Sequence, residues 1–255
     1  MTSTTERVFA ETGGLLLRAL GVLRLVVTGA FDRRETLRLV DEGLRDVAPT
    51  VAIGSVVIGG IVGLQGLGYL TRYAATDVFG WAAAMSAFRD VGPTLLAFAL
   101  AARLGTRNAA ETAVLAARER LDAICALGLD PARLVTAPRV LALVVISLAL
   151  YPPAALVMLV VAFLFAAVLG GQSVVISAWS VVEYVEADIL LEGLVRMSLF
   201  GLTVGLATTH AGLSLWLSDR RGAGDVGAAV YSGSVVSACG IVTVNLIASL
   251  FGGVG

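Results

Sequence analysis

Lysine is absent from this chain of 255 residues, and all eighteen basic residues are arginine. A phosphate-binding loop of the form G-x-x-x-x-G-K-[ST] needs its lysine to reach the β- and γ-phosphates, so ATP hydrolysis by that route is excluded. Schiff-base chemistry through lysine is excluded by the same absence. Cysteine occurs only as Cys125, in a charged stretch, and Cys239, in an apolar run, which gives neither a disulfide framework nor a metal-ligand spacing. Histidine occurs once, as His210. Charge is scarce: 15% of residues are charged and 58% hydrophobic, against about 25% and 45–50% in a soluble domain. A water-soluble protein does not have this composition, and a net charge of −1 offers nothing to a nucleic acid.

What is abundant is uncharged sequence. Runs of about 20 apolar residues, enough to cross about 30 Å of hydrocarbon, predict about five spans. The first is Val47–Tyr69. The second is a short outer helix, Val78–Phe88, divided by Arg89-Asp90 from a span that continues from Val91 to about Arg103. No charge occurs from Val140 to Val182; with Pro152-Pro153 inside, this reads as one long bent span ending near Gly170-Gly171, or alternatively as two spans. Met197–Ser218 and Val226–Phe251 complete the set. Five spans place fifteen of the eighteen arginines on one side, leaving Arg72, Arg89 and Arg196 on the other. Positive charge marks the cytoplasmic side, so the N-terminus is expected in the cytoplasm and the C-terminus outside, in a bacterial cytoplasmic membrane. Residues 1–46 lack an uninterrupted apolar core, which argues against a cleaved signal peptide. Arginines spaced among leucines and valines suit an interfacial amphipathic helix, with an ordinary solvated tail as the alternative. The expected fold is therefore an all-α membrane protein: a segment 1–46, then a transmembrane domain 47–255 with a cytoplasmic region at about 105–137.

Within that region, Ala109–Leu127 is too polar to span yet has a helical period. Val114, Ala117, Leu121 and Ile124 share one face, and Glu111, Arg118 and Asp122 another. Gly128 is placed to end the helix, and Asp130-Pro131 to start the next turn. A surface helix on a protein that cannot hydrolyse nucleotide suggests docking to one that can; packing against its own bundle is the alternative.

The ordered set Gly92-Pro93, Ala102-Arg103-Leu104-Gly105, Ala109-Ala110-Glu111, Glu119, Leu121-Asp122-Ala123, Leu127-Gly128-Leu129-Asp130-Pro131 and Pro138-Arg139-Val140-Leu141-Ala142 resembles the MlaE/YrbE permease family. Gly63-Leu64-Gln65-Gly66 with Tyr73, and Gly222-Ala223-Gly224-Asp225-Val226-Gly227, are similar to that family too. This chain departs from it at Asp90, where the family usually has Glu, at Ala102, where it has Gly, and across Val114–Ala117. The resemblance implies a permease subunit of an ABC lipid transporter that performs no covalent chemistry. It implies a second permease copy, a separate ATPase holding ATP and Mg, an MCE-domain partner and a lipid substrate. Glu111–Leu127 would be the coupling helix, with Glu111, Arg118, Glu119 and Asp122 as its contacts.

Arg89 and Asp90 interrupt an apolar segment, where charge is costly unless paired or wet. They could meet lipid headgroups at the mouth of a cavity, or close a helix as a local ion pair. Gln65 and Tyr73 are candidates for lining the lipid path, although interfacial anchoring also suits Tyr73. Glu183, Glu186, Asp188 and Glu192 read as a solvated loop or as a receiver for a basic partner. His210 suits a hydrogen bond to a neighbouring helix better than a proton relay. Gly59-x-x-x-Gly63 and Gly201-x-x-x-Gly205 suit close helix packing, within the chain or between copies. Two other functional readings remain open: a proton-coupled secondary transporter, which needs ionisable groups at mid-membrane, and a scaffold that recruits a cytoplasmic partner.

Overall fold

The computed structural model describes residues 31–217 and 222–252, together with Gly21 and Arg24. Arg7, Arg18, Arg220, Arg221 and most of the expected interfacial segment lie outside the described residues.

Helix α1, Arg33–Arg72, is 40 residues long, about 60 Å at 1.5 Å per residue and about twice the hydrocarbon thickness. It starts well before the apolar run because Asp32 caps it: the N–H groups of Arg34 and Glu35 donate to Asp32 Oδ1 at 3.0 and 3.3 Å. After a 3₁₀ turn, residues 79–117 form one unbroken helical run. It consists of α2, Phe79–Ala84, a π segment Met85–Asp90, α3, Val91–Leu100, a second π segment Ala101–Gly105, and α4, Thr106–Ala117. The expected division at Arg89-Asp90 is thus a widened turn inside a continuous helix. Gly92 permits that turn, since a Cβ there would collide with the Ala87 carbonyl.

The predicted single surface helix is broken. Helix α4 stops at Ala117, Glu119 takes a left-handed backbone with φ of 57°, and α5 runs Arg120–Ala126. A π segment Ala132–Thr136 leads into α6, Ala137–Gly170, which passes straight through Pro152-Pro153 and so favours one span over two. Gly171, with φ of 65°, ends it, and the N–H of Gln172 reaches back to the Ala166 carbonyl at 3.2 Å. Helix α7, Val174–Tyr184, has 11 residues and is too short to cross a bilayer. Helices α8, Ala187–Leu217, and α9, Ala223–Gly252, complete the described chain.

Among the described residues, four helices are long and apolar enough to cross a membrane: Arg33–Arg72, Ala132–Gly170, Asp188–Leu217 and Gly224–Leu250. The run 79–117 carries the remaining predicted span in three α-helical pieces. The architecture is all-α, and no strand occurs among the described residues.

The chain forms two compact units, and each of the four long helices contributes a segment to both. One unit, Met1–Gly43, Leu100–Ile146 and Phe200–Thr243, has a core of Ala113, Ala116, Leu121, Val135, Leu213, Leu215 and Ala229. In it α4 lies tight on α8: a Cβ on Gly105 would stand 3.1 Å from Val204, and one on Gly212 would stand 2.6 Å from Thr112. The other unit, Leu44–Ala99, Ser147–Leu199 and Val244–Gly255, packs α1 on α6 through Gly59 and Gly63. Cβ atoms there would come within 2.5 Å of the Met158 carbonyl and 2.6 Å of the Ala162 carbonyl. That glycine pair is therefore used for packing within the chain.

Candidate functional site

The residues singled out from the sequence fall into two clusters, one in each unit. In the first, the break between α4 and α5 leaves Arg118, Glu119 and Arg120 exposed at a turn. Just beyond α5, Leu127 is 75% and Leu129 50% exposed, beside Gly128 with φ of 74°. Three exposed charged side chains at the start of α5 and two exposed large apolar ones just past its end form a surface suited to a protein partner.

Glu111 and Asp122, expected on the same outer surface, are partly exposed and bonded to side chains of neighbouring helices. Trp216 donates its indole N–H to Asp122 Oδ1 at 2.7 Å, fastening α5 to the end of α8. Glu111 accepts from Arg107 Nε at 2.8 Å and from Arg139 Nη1 at 2.9 Å. Burial works to raise its pKa, but the two guanidinium hydrogen bonds and charges outweigh this, so its carboxyl titrates below the usual value. Arg107 also reaches Glu42 on α1 at 3.2 Å, and Arg38 joins Glu42 at 2.8 Å and Glu35 at 2.5 Å. Six side chains thus make one row of ion pairs from α1 across α4 to α6. Arg139, 11% exposed, also donates to Asn108 Oδ1 at 3.4 Å. The buried Asn108 amide in turn donates to Thr208 and Thr209 on α8 at 2.8 and 2.9 Å.

In the second unit, Arg89 and Asp90 both reach α8. Adjacent residues on an α-helix diverge by 100°, but the π segment puts more residues in each turn and narrows that angle. Arg89 Nε pairs with Glu192 Oε2 at 3.0 Å, and Asp90 Oδ1 accepts from Arg196 Nη1 at 3.2 Å. Glu192 and Arg196, one turn apart, are themselves paired at 2.7 Å. Asn245 on α9 adds its carbonyl to Arg196 at 3.4 Å and accepts from the Thr94 hydroxyl at 3.1 Å. Arg196 is only 2% exposed, and its Nε alone has no hydrogen-bond partner.

The sequence reading had not selected Arg196, Asn245 or the row partners Glu35, Arg38, Glu42 and Arg107. One signal was present: Glu192 and Arg196 stand at i and i+4 in an otherwise apolar stretch, and an isolated arginine there must find a carboxylate. Gln65 and Tyr73 are exposed on α1 and just after it, Tyr73 at 80%. Near them an open, largely apolar groove of about 420 Å³ runs between α1 and α6, lined by Leu64, Leu67, Phe165 and Leu169 with Arg72 among its walls. Among the described residues no group of His, Cys, Asp and Glu is arranged to hold a metal ion.

Comparison with known proteins points the same way. The family model described as Permease MlaE matches residues 36–251. A probable ABC transporter permease protein of Rickettsia prowazekii is 28% identical over 213 residues, covering 80% of this chain and 77% of its own. The intermembrane phospholipid transport system permease protein MlaE of Haemophilus influenzae is 34% identical over 89 residues, 35% of this chain and 34% of its own. A probable ABC transporter permease protein of Synechocystis is 31% identical over 121 residues, 46% of this chain and 44% of its own. With its apolar helices and a match over most of its length, this multi-pass membrane chain belongs to the MlaE permease family.

Proposed function

We propose that the chain is the membrane subunit of an ABC transporter that moves a phospholipid or similar amphiphile across or out of a bacterial cytoplasmic membrane. The observation that carries this is the exposed turn at Arg118–Arg120, at the end of a helix that continues a membrane span, followed across the short α5 by the exposed Leu127 and Leu129. A separate ATPase subunit docks there, holding ATP and Mg. Arg118 and Glu119 meet it, while Glu111 and Asp122 brace the turn from beneath. The apolar groove between α1 and α6 suits acyl chains. Gln65, Tyr73, Arg89 and Asp90 belong to the lipid path at the outer end, where an MCE-domain partner delivers or receives the lipid. Two copies of the chain enclose that path, with N-termini in the cytoplasm and C-termini outside. The chain itself makes and breaks no covalent bond: nucleotide binding and hydrolysis next door move the paired copies.

Co-purification tests the docking. Leu127→Asp with Glu119→Arg is expected to abolish recovery of the co-expressed ATPase while the membrane domain elutes as a folded species. Unchanged recovery would overturn the assigned surface. Vesicles that move labelled phosphatidylglycerol without nucleotide, in step with a proton gradient, would overturn the ABC reading in favour of a secondary transporter.

A further inference from the structure

The row Glu35–Arg38–Glu42–Arg107–Glu111–Arg139 alternates strictly in charge. Its inner members, Arg38, Glu42, Arg107 and Glu111, each touch two groups of opposite sign. A carboxylate that leaves one guanidinium already lies beside another, so a shift along the row strands no charge. The four pairs among Glu35, Arg38, Glu42, Arg107 and Glu111 are partly exposed and individually weak, which makes exchange of partners easy, while Arg139, 11% exposed, holds the inner end. An open groove of about 530 Å³ borders the row, lined by Glu35, Arg38, Leu39, Val114, Leu115 and Arg120 among others, and leaves room for movement.

The neighbouring face of α4, toward α8, is built differently. There Gly105 and Gly212 bring α8 into close contact, Thr112 and Thr208 are fully buried, and Asn108 is bonded to Thr208 and Thr209. Close-packed interfaces hold one arrangement and do not deform continuously. Helix α4 therefore has one face fixed to α8 and another facing α1 through exchangeable charges, and its end carries the exposed turn.

We propose that this row is a sliding contact through which displacement of the turn reaches α1, with Glu111 and Arg139 as the residues that position it. The proposal rests on the ABC reading above. It assigns Glu111 a role inside the chain, in transmission of the movement and not in contact with the ATPase.

The test uses the full chain, co-expressed with its ABC ATPase and its MCE-domain partner and reconstituted in phosphatidylethanolamine–phosphatidylglycerol vesicles containing fluorescent phosphatidylglycerol. Bound ATPase, ATP hydrolysed and labelled lipid moved are all measured. Glu111→Gln and Arg139→Gln are expected to retain bound ATPase but to lower lipid moved per ATP by about tenfold, in the range of ordinary coupling energies. Arg139→Lys, which keeps the charge, should recover most of that loss. Independently, Leu39→Cys with Leu115→Cys, which line the groove beside the row and are not members of it, in a background of Cys125→Ser and Cys239→Ser, joined by a cleavable bis-maleimide, should stop lipid movement with ATPase still bound and release it on cleavage. A joined protein that transports at the parental ratio overturns the sliding contact, as do glutamine variants that lose lipid movement only in proportion to bound ATPase. If the parental assembly moves no lipid on addition of ATP, the ABC reading itself fails and this inference falls with it.

Discussion

Replacing Glu192 by leucine isolates the energetics of the buried charge cluster. Glu192 bridges two arginines, taking Arg89 Nε at 3.0 Å and Arg196 Nη2 at 2.7 Å. Its loss leaves Arg196, 2% exposed, facing only Asp90 at 3.2 Å and the Asn245 carbonyl. Removing one partner of a fully buried ion pair costs about 3–5 kcal/mol. Here the carboxylate is 27% exposed and Asp90 remains in place, so about 2–3 kcal/mol is the expected loss after discounting for solvent screening. For a chain of this size that is a fall in thermal midpoint of about 4–12 °C. Glu192→Leu combined with Arg196→Met removes the buried arginine along with its carboxylate, so it should recover part of the loss, the remainder falling on the more exposed Arg89 and Asp90, which lose these partners. Thermal unfolding of both variants in lipid nanodiscs, followed by tryptophan fluorescence, measures the difference. A single variant as stable as the parent, or a double variant less stable than the single, would refute the argument that Arg196 is held in the apolar interior by its carboxylates.

Three further outcomes are expected. Glu119→Gly should leave the thermal midpoint unchanged or slightly higher while Glu119→Val lowers it, because φ of 57° suits glycine and strains a β-branched residue; equal midpoints would show that the left-handed turn stores no strain. Asn108→Leu should lower stability by about 1–3 kcal/mol by leaving buried hydroxyls short of a donor, and urea or heat denaturation in detergent would measure it against Thr209→Val, whose effect should be smaller because Asn108 keeps its bond to Thr208. The pKa values of Glu35, set chiefly by its hydrogen bond from Arg38, and of Glu111 are lowered in the folded chain. Depressed carboxylates stabilise fully above their unfolded pKa of about 4.3 and lose that stabilisation as pH falls toward the depressed value. The stability gap between the parent and Glu111→Gln should therefore be constant at neutral pH and close in acid; a gap that widens below pH of about 4 would contradict the assigned ion pairs.

How far the fold could be read in advance depended on what each feature asked of the sequence. Apolar runs located the long helices, because a span must exclude charge over its whole length, and Gly171 marked the end of α6 through its backbone freedom. The start of α1 was hidden, since Arg33 to Asp46 is polar sequence that is helical by virtue of the Asp32 cap and its charged pairs, and apolar runs do not register such turns. The break at Glu119 was equally hidden, because Ala117-Arg118-Glu119-Arg120 contains neither glycine nor proline. The helical period placed Glu111, Arg118 and Asp122 on one face, which was sound for a single straight helix and lost its meaning once the chain turned between them. Pairing of Arg89 and Asp90 was legible as a need, but their partners lie about a hundred residues away on α8, beyond any local pattern.

The proline pair within α6 sets the mechanical character of that helix. Pro152 and Pro153 offer no N–H, so the carbonyls of Leu148 and Ala149 lack their usual intrahelical donors one turn earlier. Immediately before the pair, Tyr151 is anchored by its hydroxyl, which donates to the Phe88 carbonyl at 2.6 Å. Flexing an ordinary helix stretches hydrogen bonds all along one side, whereas here the two bonds that would resist are already missing. The longest uncharged stretch of the chain thus contains, between Tyr151 pinned by its hydroxyl and the turns packed on α1 at Met158 and Ala162, a joint where two hydrogen bonds that would resist bending are already absent.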